Sequence, residues 1–216
     1  MNNKRPYFHI GVTGAYASGK DTVCRVFQQL GFKIIDFDKV GHRFLQDETV
    51  RSKLLSAFGD SIFAGDGRLL RRQRLSPLVF GSPAKLKKLN SIIHPPMKQW
   101  LKNYLDTHTG QPVIINAALL FEMSIDAWCG TTICVAASKK TIYSHALKRS
   151  GLTPEQVDTR LKSQLSPNEK ANLADYIIEN NGTLTTTTQQ VKQLWTKLQK
   201  RHAHETTAIS NVRSKS

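Results

Sequence analysis

Gly11-Val-Thr-Gly-Ala-Tyr-Ala-Ser-Gly-Lys-Asp-Thr22 is the stretch of this sequence that decides the fold. It follows an apolar run at 8–12 and leads into a helical pattern from Asp21 to Leu30. Its glycines and lysine match the pattern G-x-x-x-x-G-K-[ST], apart from the last position. Glycines let the backbone curl so that several N–H groups point at one anion, and the next helix directs its positive end there. The stretch therefore predicts a loop that binds nucleotide phosphates, formed by Gly14, Ala15, Tyr16, Ala17, Ser18, Gly19, Lys20, Asp21 and Thr22.

The last position of this motif is unusual, because Asp21 stands where Ser or Thr is expected. A carboxylate is a hard oxygen ligand that can hold Mg²⁺. It also places a negative charge beside a triphosphate, which is unfavourable unless a metal ion lies between them. Thr22 supplies a hydroxyl group one residue later. Asp21 and Thr22 are therefore the candidate magnesium ligands, and repulsion of the triphosphate by Asp21 is the open alternative.

Length and composition indicate one folded unit. A chain of 216 residues with 39% hydrophobic residues fits one α/β domain with an insertion, or one domain with a small helical lobe. No apolar stretch approaches the length of a membrane span. The three cysteines, Cys24, Cys129 and Cys134, lack the spacing of metal ligands, which predicts reduced thiols and a cytoplasmic location.

The formal net charge is +15, and the positive residues are spread along the chain rather than gathered in one run. A basic chain can bind nucleic acid, yet no RNA-recognition signature is present in this sequence. A positive field also favours an enzyme that handles two polyanionic substrates. We therefore expect small anionic molecules as partners, and a nucleic-acid binder stays open as a rival class.

Strand and helix patterns alternate along the chain. Strands are predicted at 7–13, 33–36, 112–116, 131–136 and 176–179. Strands separated by helices predict a parallel sheet with helices on both faces, which binds ligands beyond the carboxyl ends of its strands. Three segments that follow strands should therefore meet in one crevice, namely 14–19, the pair Asp36 and Asp38, and 119–122. Because side chains two residues apart in a strand point to the same face, Asp36 and Asp38 are predicted to share one.

Helix signals lie between these strands. The pattern from 40 to 108 is mostly helical, with a start at Ser82-Pro83 and an interruption at Pro95-Pro96. A final helix is predicted at 185–200, and the segment 201–216, which is basic and poor in apolar residues, is predicted to be a disordered tail. Two capping boxes predict further helix starts, at Thr153 and Ser166.

Other segments extend the match beyond the glycine-rich loop. They are Leu30-Gly31 through Ile35-Asp36-Phe37-Asp38, Arg71-Arg72 followed by Leu78-Val79-Phe80, Ile93-His94-Pro95, Leu119-Leu120-Phe121-Glu122, Arg149 before Gly151-Leu152-Thr153, Arg160 with Gln164, and Ala174-Asp175-Tyr176 through Asn180. With these segments, the chain from Phe8 to Leu198 resembles the dephospho-coenzyme A kinase family. The resemblance implies an α/β P-loop kinase fold, in which one domain over 1–200 has a central parallel five-stranded sheet flanked by helices. It also implies that this domain is divided into a core at 7–40 and 110–200, a helical acceptor-binding insertion at about 41–109 and a lid at about 139–170.

The resemblance implies transfer of the ATP γ-phosphoryl group to the ribose 3′-hydroxyl of dephospho-coenzyme A, with ATP and Mg²⁺ at the loop. It assigns the role of catalytic base to Asp38, phosphate binding to Lys20 and a place in the mobile lid to Arg149. The implied acceptor-binding residues are Asp36, Asp38, His94 and Leu119. Two alternatives stay open, because Asp38 is also placed to cap the following helix and Arg149 to be an exposed helix-end cation. Further lid candidates are Arg160 and Lys148.

The chain departs from this family at the end of the third predicted strand. The family often has Asp before Val-Pro-Leu-Leu, and this chain has Asn116-Ala117-Ala118-Leu119-Leu120. An amide is a poorer metal ligand than a carboxylate. Either Asp21 supplies the carboxylate from the other side of the site, or catalysis is weakened. The alternative functions are therefore another nucleoside or small-molecule kinase of this fold, and a catalytically weakened nucleotide-binding or nucleic-acid-binding protein.

Overall fold

The computed structural model describes residues 9–64, 69–150 and 153–213, without the side chains of 149, 150 and 202–213. In this part of the chain, five strands form one parallel sheet in the order β2-β3-β1-β4-β5. The predicted α/β class and the parallel five-stranded sheet are confirmed. The strands are β1 His9–Thr13, β2 Lys33–Asp36, β3 Val113–Asn116, β4 Thr131–Ala136 and β5 Tyr176–Glu179.

The helices cover both faces of this sheet. Ile114 of β3 packs in one buried cluster, and its neighbours Val113 and Ile115 pack in the other, as the alternation of side chains along a strand requires. The cluster around Ile114 also includes apolar residues from the first and last helices, and the second cluster includes residues from the four helices between β2 and β3. The helices are α1 Lys20–Gln29, α2 Phe37–Phe44, α3 Glu48–Phe58, α4 Arg72–Phe80, α5 Pro83–Thr107, α6 Lys139–Ser150, α7 Pro154–Lys162, α8 Pro167–Leu173 and α9 Leu184–Arg213.

The strand order opens a crevice at the carboxyl end of β1. The connection after β1 leads to β2 at one edge of the sheet, and the connection after the adjacent β4 leads to β5 at the other edge. Because the two connections diverge, the loops that follow β1 and β4 leave a gap between them. The glycine-rich loop lies at this point.

The predicted interruption at Pro95-Pro96 is wrong, because α5 continues through both prolines to Thr107. Proline removes a backbone donor and usually kinks a helix. Here the buried side chains Ile93, Met97, Leu101 and Leu105 recur every four residues and hold one face of α5 against the core. Tertiary packing therefore outweighs the local penalty. The predicted helix start is confirmed, since the Ser82 hydroxyl accepts a hydrogen bond from the backbone N–H of Lys85.

The end of the chain also differs from the sequence-based expectation. Helix α9 continues to Arg213, so the structure places helix over most of the segment for which disorder is predicted. Both predicted capping boxes are confirmed, at Thr153 and Ser166. Each helix in the described ranges is too short or too polar to cross a membrane.

Candidate active site

The loop between β1 and α1 has a backbone that only glycine tolerates at two positions. Gly14 has φ +152° and Gly19 has φ +93°. A Cβ atom at Gly14 would lie 2.5 Å from the carbonyl oxygen of Val135, and one at Gly19 would lie 2.0 Å from Nδ2 of Asn180. At Gly14 the neighbour is backbone and cannot move aside, and at Gly19 the positive φ adds to a clash that would displace the Asn180 side chain.

Lys20 begins α1 and is buried, with 8% of its surface exposed. Its Nζ atom donates to the carbonyl oxygens of Gly14 and Ala15, each at 3.3 Å, so the ammonium group lies over the loop. Among the described residues, no side chain caps the start of α1. The free N–H groups of this helix and the Lys20 ammonium therefore form a site for an anion of high charge.

A second layer of contacts holds the loop in place. Asn180, just beyond β5, donates from Nδ2 to the carbonyl oxygen of Ser18 at 2.9 Å. Its Oδ1 atom accepts from the Thr187 hydroxyl at 2.9 Å. The loop is thus tied to β5 and α9 before any nucleotide binds, which reduces the entropy lost on binding.

Asn116 and Asp21 meet at the end of β3. Asn116 is buried, with 4% of its surface exposed, and its Nδ2 atom donates to Oδ1 of Asp21 at 3.0 Å. The Oδ1 atom of Asn116 is buried and lacks a hydrogen-bond partner in the described part of the chain. A carboxylate and an unsatisfied amide oxygen side by side are the hard donors that suit Mg²⁺. The residues present therefore fit this ion, with Asp21 supplying the carboxylate that Asn116 lacks.

The described ranges contain no group of three or more His, Cys, Asp or Glu side chains that could hold a metal ion. Magnesium in phosphotransferases usually keeps several waters and binds through one or two protein groups and the substrate phosphates. The small donor set at Asp21 and Asn116 is consistent with that mode of binding. The hydroxyl group of Thr22 stays a predicted ligand.

The prediction that Asp36 and Asp38 share a strand face is wrong. Strand β2 ends at Asp36, and α2 begins at Phe37, so Asp38 is the second residue of a helix. Asp36 is the N-cap of α2. It accepts from the backbone N–H of Lys39 at 3.0 Å and pairs with the Lys39 ammonium at 3.0 Å. The alternative role as helix cap, considered for Asp38, therefore belongs to Asp36.

Asp38 lies in the crevice that faces the loop. The residue as a whole is exposed, but its carboxyl group is largely enclosed by protein, and this desolvation raises its pKa. The Lys20 ammonium opposes this shift, the Asp36 carboxylate adds to it, and a hydrogen bond with the backbone N–H of Ala118 opposes it again. A carboxylate with a raised pKa is better suited to accept a proton near neutral pH.

Several charged side chains lie near His42, one turn after Asp38 on α2. Burial and the charge of Arg72 lower the pKa of His42, and Arg160 also lowers it, whereas Asp38 and Asp36 raise it. Each of these groups therefore lies within electrostatic reach of His42. The guanidinium of Arg160, on α7, lies 5.1 Å from the ring centre of Tyr16 and 5.6 Å from that of Phe80. Arg160 thus bridges the glycine-rich loop and α4.

The predicted lid contacts the loop. Nδ1 of His145, on α6, is 3.2 Å from the carbonyl oxygen of Ala17. Arg149 belongs to the last turn of α6, but its side chain lies outside the described residues, so its lid role stays a prediction. Lys148 is exposed on α6, and no described contact joins it to the loop.

The predicted acceptor residues lie on the side of the four helices α2 to α5. His94 is half-buried in α5, where burial lowers its pKa, the charge of Lys98 lowers it further and Glu122 opposes the shift. Leu119 packs against the buried cluster of these helices. Leu119 therefore belongs to the segment after β3, and His94 lies within electrostatic reach of Glu122 in the same segment.

Two residues of this region have no clear signal in the sequence. His145 stands in a polar helical stretch and looks like an ordinary surface position. Lys170 stands in a capping-box helix, yet it is completely buried. A lysine in a short helix is normally solvent-exposed, so nothing in the sequence indicates that Lys170 is buried.

A parallel sheet in this order, with a glycine-rich phosphate loop after its central strand and a carboxylate facing the loop, defines a P-loop kinase. The family model for dephospho-CoA kinase (CoaE) matches residues 8–186. The chain belongs to the dephospho-CoA kinase family.

Individual relatives agree with this placement. A dephospho-CoA kinase of Dehalococcoides mccartyi is 37% identical over 175 residues, which are 80% of this chain and 88% of that protein. A dephospho-CoA kinase of Fusobacterium nucleatum is 35% identical over 175 residues, which are 81% of this chain and 90% of that protein. A crystal structure of a Thermus thermophilus protein matches with a TM-score of 0.74 and 30% identity, covering 90% of this chain and 98% of its own.

Proposed function

We propose that this chain transfers the γ-phosphoryl group of ATP to the ribose 3′-hydroxyl of dephospho-CoA, which yields ADP and coenzyme A. The observation that carries the proposal is the position of Asp38. Its carboxyl group lies in the same crevice as the Lys20 ammonium, at the carboxyl end of the sheet. A phosphate site and a base that face each other are what a transfer to a hydroxyl group requires.

A residue of this chain can be assigned to each step of the transfer. The backbone N–H groups of 14–19 and the Lys20 ammonium hold the β- and γ-phosphates and neutralise their charge. Asp38 accepts the proton of the 3′-hydroxyl as its oxygen forms a bond to the γ-phosphorus. The bond from that phosphorus to the bridging oxygen breaks, and ADP leaves with the electron pair. Asp36 serves indirectly, because as the cap of α2 it fixes the helix that carries Asp38.

Asp21 and Asn116 would hold Mg²⁺, with Thr22 as a further candidate. When bound, the ion neutralises phosphate charge that Lys20 alone does not balance. The acceptor would lie against the insertion helices, near His94 and Leu119, and the lid segment α6–α7 would close over the phosphates with Arg149 and Arg160. None of the three cysteines, all within the described residues, forms a disulfide, which is consistent with a cytoplasmic location.

A coupled assay of ADP formation, with and without dephospho-CoA, tests this function. We expect turnover that depends on dephospho-CoA and produces coenzyme A in equal amount. Free nucleosides and other hydroxyl acceptors serve as the comparison panel. Equal or faster turnover with another acceptor would assign the chain to a different kinase reaction.

If Asp21 binds magnesium, replacing it should change the magnesium concentration that the reaction requires. Asp21→Ala should raise the magnesium concentration needed for half-maximal rate, because the site loses its carboxylate. Asp21→Ser should keep most of the activity. Asp21→Ser combined with Asn116→Asp, which moves the carboxylate to the other side of the pair, is the matched control and should need no more magnesium than the parent. If Asp21→Ala instead binds ATP more tightly at unchanged magnesium demand, Asp21 only repels the triphosphate.

Arg160 is predicted to act when the lid closes. Arg160→Ala should raise KM for ATP and the fraction of ATP lost to water, because the bridge from α7 to the loop is removed and the site stays wet. Arg160→Lys keeps the charge but not the planar group that stacks on Tyr16, and should recover only part of the loss. The exposed Lys192 on α9, outside the predicted lid, provides the control Lys192→Ala, with kinetics like the parent. Parental kinetics in Arg160→Ala would leave Arg160 as a structural contact.

A further inference from the structure

The ammonium group of Lys170 is completely enclosed in the protein. The residue lies in α8 and has 0% of its surface exposed. Nζ contacts Oε1 of Glu122 at 3.2 Å, donates to Oε1 of Gln164 at 2.8 Å and donates to the carbonyl oxygen of Ala118. An ammonium has three donors, and three acceptors surround it. This saturation is what allows a charge to be buried at all.

The Ala118 contact leads to the proposed base. The Ala118 carbonyl oxygen, just after β3, also accepts from the Thr13 hydroxyl at 3.3 Å. The backbone N–H of the same residue lies close enough to the Asp38 carboxylate to lower its pKa. Lys170 and Thr13 therefore fix the carbonyl oxygen of a residue whose N–H lies near the base. A shift of Ala118 would move that N–H relative to Asp38.

The Glu122 contact ties the same segment to the lid. Oε1 of Glu122 accepts from the backbone N–H of Leu165, between α7 and α8, at 2.8 Å. Burial lowers the pKa of Lys170, and the Glu122 carboxylate opposes this shift. The segment 118–122 and the base of the predicted lid are thus joined through an ion pair whose ammonium group is buried.

We propose that Lys170 is a positioning residue for phosphoryl transfer, which sets the place of Ala118 and through it the aim of Asp38. It has no exposed surface with which to touch a substrate. An apolar residue could fill the same space, but it would remove the Lys170 donor from the Gln164 oxygen and leave the Ala118 oxygen with the Thr13 hydroxyl alone. The inference rests on the proposed function, in which Asp38 is the base.

Lys170→Met tests this proposal by removing the donors and the charge while keeping the length of the side chain. We expect kcat to fall by about 10²-fold, the loss typical of a misplaced reacting group, with KM for ATP nearly unchanged. Lys192→Met, at an exposed position on α9, is the matched control and should match the parent.

A second variant separates position from folding. Lys170→Met removes the ion-pair partner of Glu122, whose side chain is 19% exposed, and the loss of this contact destabilises the fold. Lys170→Met with Glu122→Gln removes both charges, so thermal unfolding should recover while kcat stays low. If this double variant regains the parental kcat, Lys170 only balances the Glu122 charge and the proposal is overturned.

A double-mutant cycle with Asp38→Asn tests the route. If Lys170 acts through Asp38, adding Lys170→Met to Asp38→Asn should cost little further turnover, because the aimed base is already absent. Losses that multiply in full would show an independent role and overturn the proposal. If the parent protein is folded but shows no turnover on dephospho-CoA, both the proposed function and this inference are overturned. If the parent is active and the two losses multiply in full, only the inference is overturned.

Discussion

Lys20→Ala is expected to abolish phosphoryl transfer, with a loss of about 10³-fold or more, on the scale of removing a group that stabilises transition-state charge. The ammonium lies over the loop, held by the carbonyl oxygens of Gly14 and Ala15 at 3.3 Å. A nucleotide would replace these weak neutral acceptors with phosphate oxygens, which bind an ammonium more strongly. Turnover in the coupled assay at saturating ATP is the measurement.

The fold should survive this change, although the Lys20 side chain is largely buried and its removal leaves some space unfilled. Lys20→Met keeps most of the aliphatic stem and is the variant to use if Lys20→Ala lowers the midpoint of urea unfolding. Lys102→Ala, at an exposed position on α5, controls for the loss of one positive charge. Parental turnover in both Lys20 variants would exclude the loop as the catalytic nucleotide site.

Asp38→Asn is expected to lower turnover by about 10²–10⁴-fold, the usual range for loss of a general base, with little change in ATP affinity. The amide has the size of the carboxylate but accepts no proton. Because burial raises the pKa of Asp38, the acid limb of kcat/KM should lie above the ordinary range of a carboxyl group. Activity falls as the pH drops through that limb, since the protonated base is inactive, and Asp38→Asn should remove the limb.

Asp36→Asn is the matched control for Asp38→Asn. Asparagine is as good an N-cap as aspartate, so α2 and the position of Asp38 should be kept. We expect the Asp36 variant to retain most of its turnover. The opposite pattern, with activity lost at Asp36 and kept at Asp38, would reverse the two roles.

The strands were predictable because a short apolar run between turn signals has few other structures open to it. The predicted strand at 33–36 coincides with β2, and the one at 131–136 coincides with β4. Where the prediction failed, contacts with other parts of the chain or the start of the next element determined the structure. Ile93 and Met97 pack in the core on either side of Pro95-Pro96, and α5 continues through both prolines. The immediate start of α2 after Asp36 removed the strand alternation on which the pairing with Asp38 rested.

By itself, the sequence determined the phosphate loop, because curling a backbone around an anion requires glycine, lysine and a helix start at fixed local spacing. Only the tertiary structure decided which distant groups meet there. Asn116 reaches Asp21 across 95 positions, and Lys170 reaches Ala118 across 52. Such contacts depend on which strands are adjacent and how each helix is rotated against the sheet. Local sequence patterns predict neither the adjacency of the strands nor the rotation of the helices, since both follow from packing the whole chain into one core.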